Sequence, residues 1–524
     1  MLLMVLAMAM GMLAVAQGAT WERSQRDQAD FAAGTEVRVA GGRVPEADRG
    51  RVYGSVDGVR DAAPVLRSTM DLAADRTAEV LAVDAGFTAE GLLLREDLGD
   101  RAELARQLRP APTRQAGLPL PEQTGRAVLT TRLKAVGGDH GEPLAPRLTV
   151  VVEDRFGARH LVHAGELPAD GRARDVAVPL AAGEPGAKPR DAAAPYTVAE
   201  LRLQVEQPFE RGQQHELTVE KIRAVPAGED GAGAPVPLPD GFAWEGLRDT
   251  GEEAPEGGPP QLTPLEPATT ARTPLRVGYR TGVAPATEDS RYRFEPGVSP
   301  GLGITVGVKR PGPPKLTAVA TPRFLASSGA KIGSVVDVPV GAETLSAEIT
   351  GTVEAVPTTG DRAPGASSGD GGALLLDLAA VNAVLHESGA TAPVPGEWWL
   401  RTAPGDAART AAALAARPDT DPEQITDRQA IGERMRDDPL GAGPQAALLA
   451  VAVVAAALAA VGFAVSAAGS LRERGAELSV LRALGAPAAS SPGSSPSNRR
   501  CSSASPCWWG RCSARSWPVP WCRW

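Results

Sequence analysis

Apolar residues fill two stretches of this chain without interruption and alternate with polar ones elsewhere. Residues 1–19 are apolar throughout, and so is Ala446 to Ser470; neither carries Asp, Glu, Lys or Arg. About 20 helical residues cross a bilayer core, so the later run is long enough and the first lies at the short end. Polar Glu22 to Asp30 extends the first run as a helix. Glu36 to Ala40 and Ala78 to Val83 alternate as strands do, and Ala89 to Leu108 has a helical pattern. Strands mixed with helices at this spacing predict one part of an α+β domain over residues 20–110.

Residues 111–235 change character. Ala127 to Val136, Arg147 to Glu153, Asp175 to Leu180, Glu200 to Glu206 and Glu216 to Val225 are strand candidates. Leu201, Leu203 and Val205 alternate with Arg202, Gln204 and Glu206, the period-two mark of a half-buried strand. Phe156-Gly157 and Pro168 to Gly171 mark turns, and the whole stretch predicts an inserted β-sandwich. Residues 236–290 contain GEEAPEGGPP and read as a Pro/Gly-rich linker, with Phe242 and Trp244 able to pack on the sandwich.

Residues 291–440 return to mixed structure. Ile304 to Val308, Leu316 to Ala320 and Ala347 to Val356 are strand-like. TPRFLASSGAKIGSVVDVPV reads as helix, turn and strand, and GALLLDLAAVNAVLHESG as a buried strand running into a helix. EWWLRT, Glu397 to Thr402, is a strand ahead of a helix from Asp406 to Ala416. The Trp398-Trp399 pair puts one ring on each face of that strand, one for the core and one free to face a partner or membrane.

Composition narrows the function. The chain has 524 residues, a net charge of −9 and 43% hydrophobic residues. The negative balance disfavours a nucleic-acid partner, and 58 glycines with 47 prolines make the chain rich in loops without making it a disordered one. All four cysteines, Cys501, Cys507, Cys512 and Cys522, lie in the anomalous segment 488–524, which lacks periodicity. Their spacings match no standard zinc pattern, so the body of the protein is expected to hold no disulfide and no thiolate metal site. The expectation for 488–524 is a shift of reading frame after Pro487; a genuine tail that binds metal or a membrane surface is the alternative. No basic n-region precedes the first apolar run, although Ala14-Val15-Ala16 resembles a cleavage site, so a helix and a signal-like segment both remain open.

The second apolar run ends abruptly in charge. Arg472, Glu473, Arg474, Glu477 and Arg482 follow it, while Asp437 and Asp438 precede it. Positive charge beside a span favours the cytoplasm, which places residues 20–445 outside. Ala, Val, Gly462, Ser466 and Gly469 dominate the span, suiting either close helix packing in lipid or a plain anchor in an alanine-rich chain. Leu471, Leu478, Leu481 and Leu484 recur at helical spacing and Gly485 with Pro487 supply a stop, predicting a short amphipathic helix over residues 471–487. Such a helix lies in the lipid interface or docks a cytoplasmic partner.

A small-residue span followed by RERGAELSVLRALGAP resembles the FtsX-like permease family of ABC transporter subunits, the MacB and LolC/LolE type. The matching positions are Arg472, Glu473, Arg474, Glu477, Leu478, Leu481, Arg482, Ala483, Leu484 and Gly485. The resemblance implies an α+β extracytoplasmic domain with its insertion, flanked by transmembrane helices at 1–19 and 446–470. It implies a start at Met1 inside a longer protein and two further spans after residue 487. It also implies a separate cytoplasmic ABC ATPase as partner, contact with membrane lipid, a possible second permease copy, and export or extraction of a lipid, lipoprotein or peptide. This chain would then be no enzyme and need no cofactor. A membrane-anchored protein whose sandwich binds glycan or peptide is the second expectation.

The sequence offers little chemistry of its own. GxxxxGK[ST], HExxH and GxSxG are absent. Ser327 to Ser334 has Gly and Lys at the wrong spacing for a phosphate loop and reads as a turn. His160 and His163 fall on opposite faces of a strand and read as one core and one surface residue, not a metal pair. Asp437-Asp438-Pro439 reads as a helix end near the membrane.

Overall fold

A computed structural model of the chain describes residues 2–109, 117–138, 144–180, 191–206, 213–240, 242–249, 274–281, 301–308, 312, 314–360, 371–437 and 439–484. The segment 488–524 with its four cysteines, GEEAPEGGPP, Asp438, Gly485 and Pro487 lie outside the described residues. The chain forms two compact units, Ala16–Gln445 and a second made of Met1–Val15 with Ala446–Trp524. Helix α1 (Leu2–Ala33) opens the chain and helix α9 (Pro439–Ala483) is the last described element. Among the described residues one stretch, Ala446–Ser470, is long and apolar enough to cross a membrane, with a mean hydropathy of 2.7 and no burial.

The larger unit is built around a mixed sheet. Its strands are β1 (Val37–Ala40), β2 (Val59–Leu72), β3 (Arg76–Val83), β15 (Thr317–Ala320), β16 (Val335–Val340), β17 (Glu343–Thr352), β18 (Ala373–Asp377), β19 (Glu397–Thr402) and β20 (Ile425–Asp427). They lie in the order β16-β17-β15-β18-β3-β2-β19-β1-β20. The β15–β17 and β18–β3 pairs are parallel and the others antiparallel. Strand β2 carries Pro64, which cannot donate to a ladder, yet it sits mid-sheet. The register explains this. Among the described residues Val59 to Val65 forms its ladder with β19 and Leu66 to Leu72 with β3, so each half of β2 has a strand partner on one side only.

Helices follow the strand ends with conventional caps. Asp84 accepts from Phe87 N to start α3 (Ala85–Gly91), and Asp100 accepts from Ala102 N to start α4 (Arg101–Leu108). Thr321 caps α5 (Pro322–Ser328), and Gly329 closes that helix at φ +72. Asp377 caps α6 (Leu378–Glu387). Helix α2 (Glu46–Gly54) precedes β2, α7 (Ala407–Ala415) follows β19, and α8 (Arg428–Asp437) follows β20. The α3–α4 region is two helices where the pattern predicted one. Gly91 ends the first, Leu92 turns extended and buried, and Asp100 restarts the second.

Between β3 and β15 in sequence, the chain forms two antiparallel sheets. One has the order β11 (Ala234–Pro235), β10 (Gln213–Pro226), β5 (Thr124–Gly138) and β8 (Asp170–Pro179), with β13 (Leu275–Arg280) also on β10. The other has the order β12 (Trp244–Asp249), β14 (Gly301–Val308), β9 (Thr197–Glu206), β6 (Arg147–Glu153) and β7 (Arg159–Glu166), with β4 (Leu118–Pro119) also on β9. Leu201, Leu203 and Val205 of β9 and Leu217 and Val219 of β10 are buried in one cluster, as their alternation predicts. Phe242 and Trp244 stack edge to face at 5.2 Å, and Trp244 Nε1 donates to Pro274 O.

Several expectations change. The stretch read as a linker, 236–290, contributes β12 and β13 to these sheets, and Ile304 to Val308 pairs with β9 rather than joining the mixed sheet. Trp398 and Trp399 are both buried, because both faces of the mixed sheet are covered. Trp398 packs against Tyr53 of α2 and Phe156, and Trp399 against Gly34. The short helix expected at 471–487 is instead the end of the uninterrupted 45-residue α9.

Candidate functional site

The residues singled out by the charged motif fall on the last turns of α9. Arg472 is exposed, and Leu484 is a turn residue exposed at 78%. Glu473, Arg474, Glu477, Leu478, Leu481 and Arg482 lie within the same helix. Two places in the larger unit carry dense polar contacts among the described residues.

The first is a junction where α1 meets the mixed sheet. Ala29, Ala32 and Ala33 of α1 pack on Ile431 of α8, and Asp30 pairs with Arg428 at 3.3 Å. Burial pushes the Asp30 carboxyl up despite Arg428. Gly34 then ends the helix at φ +75, and its carbonyl accepts from Leu93 N. Thr358, itself at φ +67, donates its N–H to Phe31 O at 2.8 Å. A Cβ on Gly34 would lie 2.3 Å from Thr358 Cγ2, so only glycine fits.

Arg67 holds that junction from below. Its Nε donates to Glu397 Oε1 at 2.8 Å, its Nη1 to Glu79 Oε2 at 2.8 Å and to Thr358 O at 3.2 Å, and its Nη2 to Thr358 Oγ1 at 2.9 Å. Glu397 also accepts from Trp399 Nε1 and pairs with Arg38. Glu79 is 1% exposed. Burial raises its carboxyl above the usual range, with Arg67 opposing. Burial acts the same way on Glu397, but Arg67, Arg38 and Trp399 outweigh it and hold that carboxyl low. A left-handed threonine fixed by a guanidinium is stored backbone strain at the point where a helix enters the sheet.

The second place is the turn Asp154–Ala158 between β6 and β7. Asp154 Oδ1 accepts from Phe156 N and Ala158 N, which shapes the turn. Phe156 at its tip is fully buried and meets Trp398 edge to face at 6.0 Å. Asn382 Nδ2 and His386 Nε2 of α6 donate to the Phe156 and Gly157 carbonyls at 2.9 Å. Arg155 donates to Asp61 Oδ1 at 2.7 Å and to Ala62 O, both on β2. The turn is therefore plugged into the mixed sheet.

A titratable cluster lies behind the plug. His160 Nε2 is 3.1 Å from Asp154 Oδ2, and its ring meets Tyr196 at 6.4 Å. Tyr196 donates to Asp191 Oδ2 at 2.7 Å. Burial lowers His160, but the bond and charge of Asp154, with Glu46 and Asp191, outweigh it and raise the imidazole pKa. Burial raises the Asp191 carboxyl against the bonds from Tyr196 and Ala193 N. Beside the plug opens a cleft of about 730 Å3 whose walls include Arg60, Asp61, Arg155, Asp191, Glu122 and Glu229. His160 is half-buried and His163 exposed, and no metal-binding cluster occurs among the described residues.

Sequence reasoning marked Phe156-Gly157 as a turn without seeing what its aromatic tip enters. A large apolar residue at a polar turn was the available signal. It passed over Arg67, which follows the apolar run Ala62 to Leu66, and Glu79, which precedes the apolar run Val80 to Val83. No family model, no curated protein and no solved structure matches this chain.

Proposed function

We propose that the chain is a permease subunit of the FtsX-like type, which couples a cytoplasmic ABC ATPase to movement of a large extracytoplasmic domain. The observation that carries this reading is the wiring of α1 into the mixed sheet through Gly34, Thr358, Leu93 and Arg67, with α8 packed beside it. A helix bonded so tightly to a sheet transmits displacement to it, whereas a passive anchor needs no such bonding. The 45-residue α9 supports the same reading, because it joins an apolar span to the charged motif at Arg472 without a break. On this reading residues 1–19 and 446–470 both cross the membrane, residues 20–445 lie outside, and the two antiparallel sheets form an inserted sandwich. The ATPase docks on Leu471 to Gly485, the substrate is a lipid, lipoprotein or peptide, and the chain itself performs no chemistry.

The cleft of about 730 Å3 favours a second reading, a membrane-anchored protein that binds glycan or peptide without transport. One experiment separates them. The whole chain is purified from membranes by an affinity tag and assayed for ATP hydrolysis. The permease reading expects hydrolysis to copurify and to be lost in the double variant Leu478→Glu, Leu481→Glu. Membrane-impermeant thiol labelling, with the four native cysteines replaced, should reach Glu229→Cys in intact cells and Arg472→Cys after permeabilisation only. Correct sidedness without any copurifying hydrolysis would favour the anchored binding protein.

A further inference from the structure

The cleft of about 730 Å3 beside the plugged turn is lined by charged side chains of both signs, and half of them already have partners within the fold. We propose that the cleft takes a basic peptide segment, whose Lys or Arg side chains are answered by Glu122 and Glu229. The inference rests on the second reading only in treating the cleft as a binding site, and it holds with or without a partner ATPase.

The charged groups come from separate parts of the larger unit. Arg60 and Asp61 lie on β2, Arg155 in the plugged turn and Asp191 before β9, while Glu122 precedes β5 and Glu229 lies between β10 and β11. Asp61 Oδ1 accepts from Arg155 Nη2 at 2.7 Å, so that pair cancels within the wall. Asp191 accepts from Ala193 N on one oxygen and from Tyr196 on the other. Arg60, Glu122 and Glu229 are exposed and make no ion pair or side-chain hydrogen bond among the described residues. Two carboxylates and one guanidinium therefore remain to meet a ligand. A ligand rich in cations complements that set, and an anionic one meets more repulsion than attraction.

The uncharged lining narrows the class further. None of the lining residues is aromatic, so a sugar ring finds no flat apolar face on which to stack its C–H bonds. Val59, Ala192 and Ala194 give a small apolar surface suited to the methylene stem of Lys or Arg. Gln123 is exposed, and its amide has no partner among the described residues. A carboxamide both donates and accepts, as a peptide bond requires. A free polyamine carries the same cations but offers Gln123 no amide to bond. The volume lies within the range of about 300–1,000 Å3 that ligand sites occupy.

Binding is tested on the full chain in nanodiscs of uncharged phosphatidylcholine, by the fluorescence anisotropy of a dye-labelled pentapeptide with two lysines. It should bind about tenfold more tightly than the same peptide with glutamates in place of the lysines. The double variant Glu122→Gln, Glu229→Gln should bind it about threefold to tenfold more weakly, as the loss of two exposed ion pairs requires. Raising salt from about 50 to about 500 mM should weaken the wild type and move the double variant less. Arg60→Gln should not weaken binding. Equal affinity for the two peptides would overturn the proposal, and so would a double variant that binds as the wild type does. Displacement by spermidine as readily as by the unlabelled peptide would assign the site to free polyamines and overturn the peptide assignment. Calorimetry with a chitin oligosaccharide separates this inference from the reading beneath it. Sugar binding without peptide binding would keep the cleft as a ligand site and overturn the basic peptide, whereas binding of neither would overturn both.

Discussion

Two ionic clusters fasten the mixed sheet to its neighbours, and they differ in the group at their centre. Under α1 the centre is Arg67, bonded to Glu79, Glu397 and Thr358. At the plugged turn it is His160 beside Asp154, with Asp191 and Tyr196 behind. A guanidinium keeps its charge at any pH the protein meets, whereas an imidazole changes charge near neutrality. The first cluster ties the mixed sheet to its entry helix, whereas the His160–Asp154 pair lies within the β6–β7 turn and its strand and braces the turn that enters the sheet. A machine that transmits force needs the first to be permanent.

The largest effect should come from breaking the weld. Arg67→Met leaves buried Glu79 without its counter-ion and half-buried Glu397 with Arg38 alone, and should cost about 4 kcal/mol. Without Arg67, burial drives the Glu79 carboxyl further upward, and the folded variant then holds a proton that the unfolded chain releases. The variant's stability should fall as pH rises through the carboxylate range, so its deficit against wild type shrinks toward about pH 4. Chemical denaturation of the whole chain, followed by the fluorescence of buried Trp398 and Trp399, measures both. An equal deficit at acid and neutral pH would mean the carboxylates find other partners.

The plugged turn should break more locally. Phe156→Ala removes a fully buried ring from beside Trp398 and should cost about 3 kcal/mol at that contact. Hydrogen exchange should speed up in Glu46–Gly54 and residues 191–196 while the amides of Gly34 and Thr358 keep their protection. Protection lost evenly across the mixed sheet would show that the turn belongs to the core and is no separate fastening.

Much of this architecture was legible, and the misses have physical causes. β1, β3, β6, β18 and β19 stand out because burial on at least one face writes a short apolar or alternating run. β2 was hidden by Pro64, whose usual meaning fails because each half of that strand is paired on one side. β7 showed only as the strand that carries His160 and His163, because half of its residues are exposed. β13 had its signal in Leu275, Val277 and Tyr279, all buried at period two, but it lies in Pro/Gly-rich surroundings. Neither ionic cluster was legible, since Arg67 meets Thr358 across 291 residues and such closure leaves no local pattern.

The finest distinction concerns Gly34, where the weld combines a backbone requirement with a steric one. Gly34→Ala adds a side chain at φ +75 and drives its Cβ to 2.3 Å from Thr358 Cγ2. A left-handed alanine alone costs about 1 kcal/mol, and moving Thr358 off Arg67 adds a similar amount, for a loss of about 2 kcal/mol. Thr358→Ser removes the clashing methyl but keeps the oxygen that accepts from Arg67 Nη2. The double variant should then recover about 1 kcal/mol relative to the sum of the two single losses, a coupling that a thermodynamic cycle reads directly. Additive losses would place the cost of Gly34→Ala in backbone conformation alone. A guanidinium keeps its charge through this range, so this coupling should be the same at acid and neutral pH.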